Sequence, residues 1–349
     1  MKISTDYNSG NYSIEVARGM LKDSITAYTG GYSQVHYLID EKVFELHKGR
    51  MLAFIDHPIL MGSGETSKSF EAFHYLLETL LAKGVKRNDL IVVIGGGAAG
   101  DAGGFAASCV LRGLDYIHVP TTLLAHDSSI GGKTAINSKH GKNLIGAFYR
   151  PAGVIYDLEF LNTLPDSEIL SGFGEVIKHA MLKNQETVDH LVALTRNGID
   201  LRRIEPFVIS GIETKMQYVN RDENESDIRK YLNLGHTLGH AVEYKYKIPH
   251  GIAVVIGIYA ALHISNQVEQ YEIFDLSYYY CFFDNLGYPM DILKDIDAEE
   301  MLSLISKDKK NQNTQTAGYV ILKEFGEAKF IEIEKETLGK YINDIKESI

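Results

Sequence analysis

The spacing of apolar residues changes partway along the chain. Up to about residue 160, short runs rich in β-branched residues alternate with stretches whose apolar positions recur every three or four residues. Segments 34–40 (Gln-Val-His-Tyr-Leu-Ile-Asp) and 51–56 (Met-Leu-Ala-Phe-Ile-Asp) predict strands, and segment 68–83 sets Phe70, Phe73, Leu76, Leu77 and Leu80 on one helical face. Leu90-Ile-Val-Val-Ile94 is a continuous apolar run that ends in glycines, as strands buried on both faces of a parallel sheet do, and 116–122 predicts another strand. This order implies an α/β domain over residues 1–163, a Rossmann-like parallel sheet with helices on its faces. Over residues 164–349 helical periodicity takes over. Pro165-Asp-Ser-Glu-Ile opens one helix, since its polar side chains can cap exposed amides. Further helices are predicted over 206–221, 228–246, 251–269 and 301–307, with a small hairpin from 318–322 and 330–333. The second domain is therefore read as mainly α-helical.

Three segments carry chemistry. Gly95-Gly-Gly97-Ala-Ala-Gly100 fits G-x-G-x-x-G directly after a strand and before a helical stretch. Glycines there let the backbone approach a pyrophosphate, whose charge meets free amides and the positive end of the helix dipole. The dinucleotide pattern also wants an acid about 20 residues on, at a strand end. Asp115 has nearly that spacing but precedes its strand, so a tight turn of an α/β fold stays open as the plainer reading. Asp127-Ser-Ser-Ile-Gly-Gly-Lys133-Thr, followed by Lys142-Asn143, also suits an anion. It is not a P-loop, because Asp127 stands where that loop requires its first glycine.

The third segment is Asn233-Leu-Gly-His236-Thr-Leu-Gly-His240, with His250 beyond it. Histidines four apart share a helical face, and a third imidazole with a carboxylate makes a zinc-type set with an open position. Spacing alone selects His236 and His240 as the ligand pair; Glu175, one turn before Lys178, is the candidate carboxylate. Lys215, Arg229, Lys309 and Lys310 are scattered cations that read equally well as surface ion-pair partners.

Composition narrows the partners. The chain has 349 residues and a net charge of -11, which disfavours nucleic acid and anionic membranes and points any basic cluster at a small anion. Cys109 and Cys281 are too few and too distant for a disulfide framework, which suits a reducing compartment. The N-terminus lacks the apolar core of a signal peptide, and the apolar stretch 251–264 is read as a buried helix rather than a span.

Taken as a set, the glycine segment 95–101, the stretch 119–135 (Val-Pro-Thr-Thr-Leu-Leu-Ala-His-Asp-Ser-Ser-Ile-Gly-Gly-Lys-Thr-Ala), Gly141-Lys-Asn-Leu-Ile-Gly-Ala-Phe, Gly174-Glu-Val-Ile-Lys-His and the histidine segment resemble the 3-dehydroquinate synthases, in order and from about Asp40 to Lys310. The resemblance implies a cytoplasmic, homodimeric lyase of the shikimate pathway that uses NAD and a zinc or cobalt ion. Such an enzyme converts 3-deoxy-D-arabino-heptulosonate 7-phosphate to 3-dehydroquinate and phosphate. It does so by transient oxidation, phosphate elimination, re-reduction and intramolecular aldol closure.

Residue by residue, the resemblance implies metal ligation by Glu175, His236 and His250, with His240 facing the substrate phosphate instead. It assigns NAD to Asp40, Glu65, Thr66, Ser67, Lys68, Ser69, Phe70, Gly97, Ala98, Ala99, Gly100, Asp101, Thr121, Thr122, Lys133, Lys142, Phe160, Leu161, Asn162 and Thr163. Asp127, Lys133, Asn143, Lys178, Lys215, Arg229, Asn233, His240 and Lys309 or Lys310 match positions around the substrate, and Arg112 matches one donated across the dimer. The chain departs from the family pattern in a shorter loop at Ala125-His126-Asp127, a shorter stretch between His240 and His250, Ile252 where glutamate is common, and Asp227 in place of glycine. The alternatives are another sugar phosphate cyclase, or an NAD- and metal-dependent polyol dehydrogenase of related fold.

Overall fold

The structure, a computed structural model, describes residues 1–7, 10–307, 315–347 and 349. Two compact units divide the chain, Met1–Pro165 and Asp166–Ile349.

The first unit contains, in order, β1 (Lys2–Ser4), β2 (Ser13–Ala17), α1 (Leu21–Thr29), β3 (Val35–Asp40), α2 (Glu41–Met51), β4 (Ile59–Met61), α3 (Phe70–Ala82), β5 (Leu90–Gly95), α4 (Gly97–Cys109), β6 (Tyr116–Pro120), α5 (Ala125–Ser128), β7 (Lys133–Ser138), β8 (Gly141–Phe148) and β9 (Gly153–Asp157). A seven-stranded sheet runs β1-β2-β9-β6-β5-β3-β4, parallel except for β1. Leu90 to Ile94 are fully buried because β5 lies mid-sheet with a core on each face. On one face Val93 and Leu38 pack with Phe73, Leu76, Leu80, Ala102 and Ala106; on the other, Val92 and Ile94 pack with Leu21, Ile25, Met51 and Ile55. Each such aliphatic side chain contributes about 1.5–3 kcal/mol on burial.

Segment 51–56 is not a strand. Asp40 caps α2 by accepting from the amides of Lys42 and Val43, and the helix ends in turns that bring the Ile55 amide to the Met51 carbonyl. Met51 and Ile55, four apart, are both buried, while Leu52 between them is exposed. The period is helical, and the edge strand is β4. The anion-friendly segment around Lys133 and Lys142 is a β-hairpin, β7 against β8, and the pairing of β2 with β9 gave no apolar run long enough to read.

The second unit contains α6 (Asp166–Lys183), α7 (Gln185–Thr195), α8 (Glu205–Arg221), α9 (His236–Tyr246), α10 (His250–Glu269), α11 (Leu276–Asn285), α12 (Ile292–Asp295), α13 (Ala298–Lys307), the hairpin of β10 (Thr316–Glu324) and β11 (Glu327–Glu334), and α14 (Lys335–Glu347). The expected helix over 228–246 is broken. Ile228–Asn233 is a 3-10 turn, Gly235 takes φ +79, and α9 begins afresh at His236. The left-handed backbone at Gly235 is one that L side chains resist.

Helix α10 is long and apolar enough to cross a membrane, yet it lies inside the protein, with Gly251 to Ser265 all buried. A helix apolar all round is the centre of a helical core. Glycines let its neighbours touch it backbone to backbone. A Cβ on Gly257 would fall inside the Gly235 carbonyl oxygen, one on Gly251 inside the Ser171 carbonyl, and one on Gly174 inside the Gly251 carbonyl. The Gly251 amide donates to Ser171 Oγ at 3.1 Å, which locks α10 onto α6.

Gly257→Ala therefore forces backbone apart and is expected to cost about 1–3 kcal/mol, as overpacked cores do. Gly49→Ala, with open space around an exposed position of α2, is expected to stabilise by about 0.5–1 kcal/mol. Urea denaturation of both variants checks the contrast; equal stability in both would refute the account.

Candidate functional site

In the first unit the glycine segment turns from β5 into α4 at the carboxyl edge of the sheet. The first amides of α4 lie within Gly97 to Ala99, and helix geometry leaves such amides unsatisfied. Each glycine is also needed for contact. A Cβ on Gly96 would stand 2.9 Å from Thr122 Cγ2, one on Gly97 2.6 Å from Ser128 Oγ, and one on Gly100 inside the His118 imidazole. Thr121 Oγ1 and Ser128 Oγ are buried and have no hydrogen-bond partner among the described residues. The cradle therefore presents donors without internal acceptors.

Asp40 lies at the carboxyl end of β3, beside β5 in the sheet. Its Oδ1 accepts from Ser63 Oγ at 2.7 Å and from the amides of Lys42 and Val43. An acid thus stands at the strand end next to the glycine turn, but it precedes that turn in sequence. Asp115, suggested by spacing, is at the opposite edge, where it accepts from Tyr32 OH at 2.8 Å. Lys68 reaches Asp101 Oδ2 at 2.5 Å and also bonds Asn143, while Glu65 accepts from Asn137 Nδ2 at 2.6 Å. The segment preceding α3, the start of α4 and the β7–β8 hairpin are tied together by these bonds. Lys133, Lys142 and Arg112 are exposed, and Phe70 is too; Phe160 and Leu161 are instead buried. Asp127 lies in the short helix α5, Ser69 caps α3 by accepting from the Ala72 amide, and Thr163 Oγ1 stands 2.9 Å from His47 Nε2.

In the second unit four side chains converge. Glu175 from α6 is 1% exposed; its Oε1 stands 3.7 Å from His236 Nε2 and 3.5 Å from His250 Nε2, and its Oε2 pairs with Lys178. The His240 ring lies 5.3 Å from that of His236 and 5.7 Å from that of His250, and ligand atoms of the three imidazoles fall within 4.8 Å of one another. His236 Nδ1 donates to the Leu234 carbonyl at 3.1 Å, so its Nε2 carries the lone pair toward Glu175. Burial and the Lys178 charge hold His236 well below the ordinary histidine range. Burial pulls His250 the same way, but Glu175 and Glu243 outweigh it and push His250 up to about 9.

Lys178, Lys215 and Arg229 are all buried. Asp222 shapes the loop that carries Arg229: it accepts from the amides of Ser226, Asp227 and Arg229 and from Ser226 Oγ. Burial pushes the Asp222 carboxyl up, and those donors outweigh it and hold it below the usual carboxylate range. Asn233 Nδ2 donates to Glu225 Oε1 at 2.8 Å. Lys309 and Lys310 lie outside the described residues. Sequence reasoning missed Asp222, Glu225 and Glu243. Glu243 had a signal, since it lies three residues after His240 and seven after His236 on one helical face; the loop acids had none.

The comparisons agree with one another. The family model described as 3-dehydroquinate synthase N-terminal matches residues 58–171, and the one described as 3-dehydroquinate synthase C-terminal matches residues 172–311. A 3-dehydroquinate synthase of Staphylococcus saprophyticus is 45% identical over 97% of this chain and 97% of its own, and one of Staphylococcus haemolyticus is 45% identical over 99% of each. Among solved structures, a 2-deoxy-scyllo-inosose synthase complexed with carbaglucose-6-phosphate, NAD+ and Co2+ superposes with TM-score 0.86 at 24% identity over 99% of both chains. A 2-epi-5-epi-valiolone synthase from Streptomyces hygroscopicus with NAD+ and Zn2+ bound superposes with TM-score 0.82 at 20% identity over 99% of both chains. These structural likenesses carry the fold.

His118, beneath the glycine turn, yields a pH test. Burial lowers its pKa from 6.5 to about 4, against the raising effect of the Gly95 carbonyl bond. The unfolded chain takes up a proton below 6.5 that the folded chain refuses, so stability falls as pH drops from 6.5 toward 4, by roughly 3 kcal/mol in full. His118→Gln is expected to flatten that fall in urea denaturation between pH 7 and 4.5; parallel curves for both proteins would remove His118 as the cause.

Proposed function

The chain belongs to the 3-dehydroquinate synthase family, and from that premise we propose that its first unit holds NAD at the glycine turn and its second unit holds a divalent metal at Glu175, His236 and His250. The reaction is conversion of 3-deoxy-D-arabino-heptulosonate 7-phosphate to 3-dehydroquinate and phosphate, and the enzyme is an NAD- and metal-dependent lyase of the shikimate pathway. The observation that carries the site reading is the buried Glu175 carboxylate faced by two imidazole Nε2 atoms.

The residues present fit both groups. One carboxylate oxygen and two imidazole nitrogens form a three-ligand set of the kind that leaves an open position on zinc or cobalt. The orphaned hydroxyls of Thr121 and Ser128 and the free amides of α4 suit a pyrophosphate, with Asp40 at the ribose-binding strand end. When bound, the metal supplies Lewis acidity toward a hydroxyl oxygen and NAD supplies reversible hydride acceptance.

The protein's own side chains hold the rest. Lys178 lies against Glu175 and sets its amine beside that buried carboxyl group. Lys215 and Arg229 bring buried cationic side chains to a unit that, on this reading, holds a carboxylate and a phosphate. Asn233 is oriented by Glu225. We assign His240 to the substrate phosphate rather than to the metal, following the family pattern, since the three rings are close enough for either role. We also propose a cytoplasmic homodimer in which the exposed Arg112 meets the partner; sedimentation velocity checks the dimer.

Phosphate release from the heptulosonate phosphate is expected to require both NAD and metal and to stop with a chelator. Release independent of both would overturn the proposal, and steady NADH accumulation from a simple polyol without phosphate release would favour a dehydrogenase. A second expectation follows from His250. It is charged below about 9 in the metal-free protein and binds metal only as the neutral imidazole, so metal affinity rises with pH toward that value and uptake releases a proton. Isothermal titration in buffers of different ionisation enthalpy counts that proton; none released at pH 7 would contradict it.

A further inference from the structure

The two imidazoles that face Glu175 are anchored differently. His236 Nδ1 donates to a backbone carbonyl, that of Leu234, at 3.1 Å. His250 Nδ1 instead donates to a side-chain carboxylate, Glu243 Oε2, at 2.8 Å. His236 is also the more enclosed, its side chain 13% exposed against 33% for His250. The freer ring has the stronger acceptor.

We propose that Glu243 is a positioning residue of the metal centre: it fixes the ring orientation and tautomer of His250 and strengthens its Nε2 as a donor. The inference rests on the ligand set proposed above. Glu243 lies in α9, one turn before the left-handed residue Lys247 that ends it, and His250 opens α10 directly after Pro249. The hydrogen bond therefore spans the α9–α10 turn and ties the first residue of one helix to the last turn of the other. A side chain at the first position of a helix has no preceding turn to restrict its rotamer, so its aim depends on such a tie.

Charge adds a second reason. The carboxylate facing the two Nε2 atoms already shares its charge with Lys178. A divalent cation there meets two neutral imidazoles and a carboxylate partly neutralised by an ammonium. Glu243 places a second carboxylate one imidazole away, where its charge passes through the ring to the ligating nitrogen. A carbonyl, as at His236, orients a ring but brings no charge. Carboxylate–histidine–metal relays work in this way.

The test is metal affinity, read separately from turnover. The purified full chain is stripped of metal, and Zn2+ and Co2+ dissociation constants are measured by competition with a chromophoric chelator for the wild type, Glu243→Gln, Glu243→Asp and His250→Ala. Glu243→Gln, which keeps size and a hydrogen-bond acceptor but removes the charge, is expected to weaken both metals roughly 10- to 100-fold. Its visible Co2+ bands are expected to shift, while its affinity for NAD and its urea midpoint stay at wild-type values. Glu243→Asp is expected to recover part of the loss. If Glu243→Gln binds both metals within twofold of wild type while His250→Ala does not, the positioning role is overturned and the ligand set stands. If His250→Ala also binds normally, the ligand set itself fails and the inference falls with it.

Discussion

The second unit depends on backbone contact between α6, α9 and α10 at Gly174, Gly235, Gly251 and Gly257. Helices that pack through ordinary side chains stand about 8–10 Å apart. Here a methyl group at any of these positions would overlap a neighbouring backbone. Only at this closer approach does a carboxylate from α6 come within 3.5 to 3.7 Å of imidazoles from the first residues of α9 and α10. The same contact supplies rigidity, because α10 is buried all round and has no solvent side toward which to yield. The placement of these side chains is thus inherited from backbone-to-backbone packing of the three helices.

The charged groups are organised against the chain's own acidity. A net charge of -11 repels an anionic substrate at long range, yet Lys178, Lys215 and Arg229 are buried. Buried cations cost stability unless partnered. Lys178 pairs with Glu175, and the loop of Arg229 is folded around Asp222, whose carboxylate gathers three amides. Such costs are tolerated where function needs charge in a low-dielectric place. In the first unit the equivalent provision is made by backbone: the glycine turn offers amides and leaves the hydroxyls of Thr121 and Ser128 without internal acceptors.

Reading the sequence succeeded where the physics was local. Strand β5 was legible because a sheet buried on both faces demands an unbroken apolar run, and α10 because a fully buried helix does too. Segment 51–56 was misread because six residues are too few to tell a two-residue period from a four-residue one; Met51 and Ile55 belong to a helical face. The break at Gly235 was hidden because a single glycine is compatible with either a helix or a left-handed stop, and the choice is made by Val254 and Ile258 on another helix, which leave no room for a side chain. Spacing offered only Asp115, which precedes its strand; β6, the neighbour that follows β5, ends at Pro120 with no acid, and the acid beside the glycine turn is Asp40 on β3, the neighbour that comes before.

By itself the sequence determined the type of the longer elements, the glycine turn, the family to which the motifs belong, and the residues with chemistry to offer, since hydrophobic period and motif are properties of a few neighbouring residues. Tertiary structure alone decided which of those residues meet. The four-residue spacing of His236 and His240 put both on one face of α9, but the approach of His236 and His250 to Glu175, and the Glu243 carboxylate behind His250, depend on where three helix backbones touch. That is set by long-range packing, which no local pattern encodes.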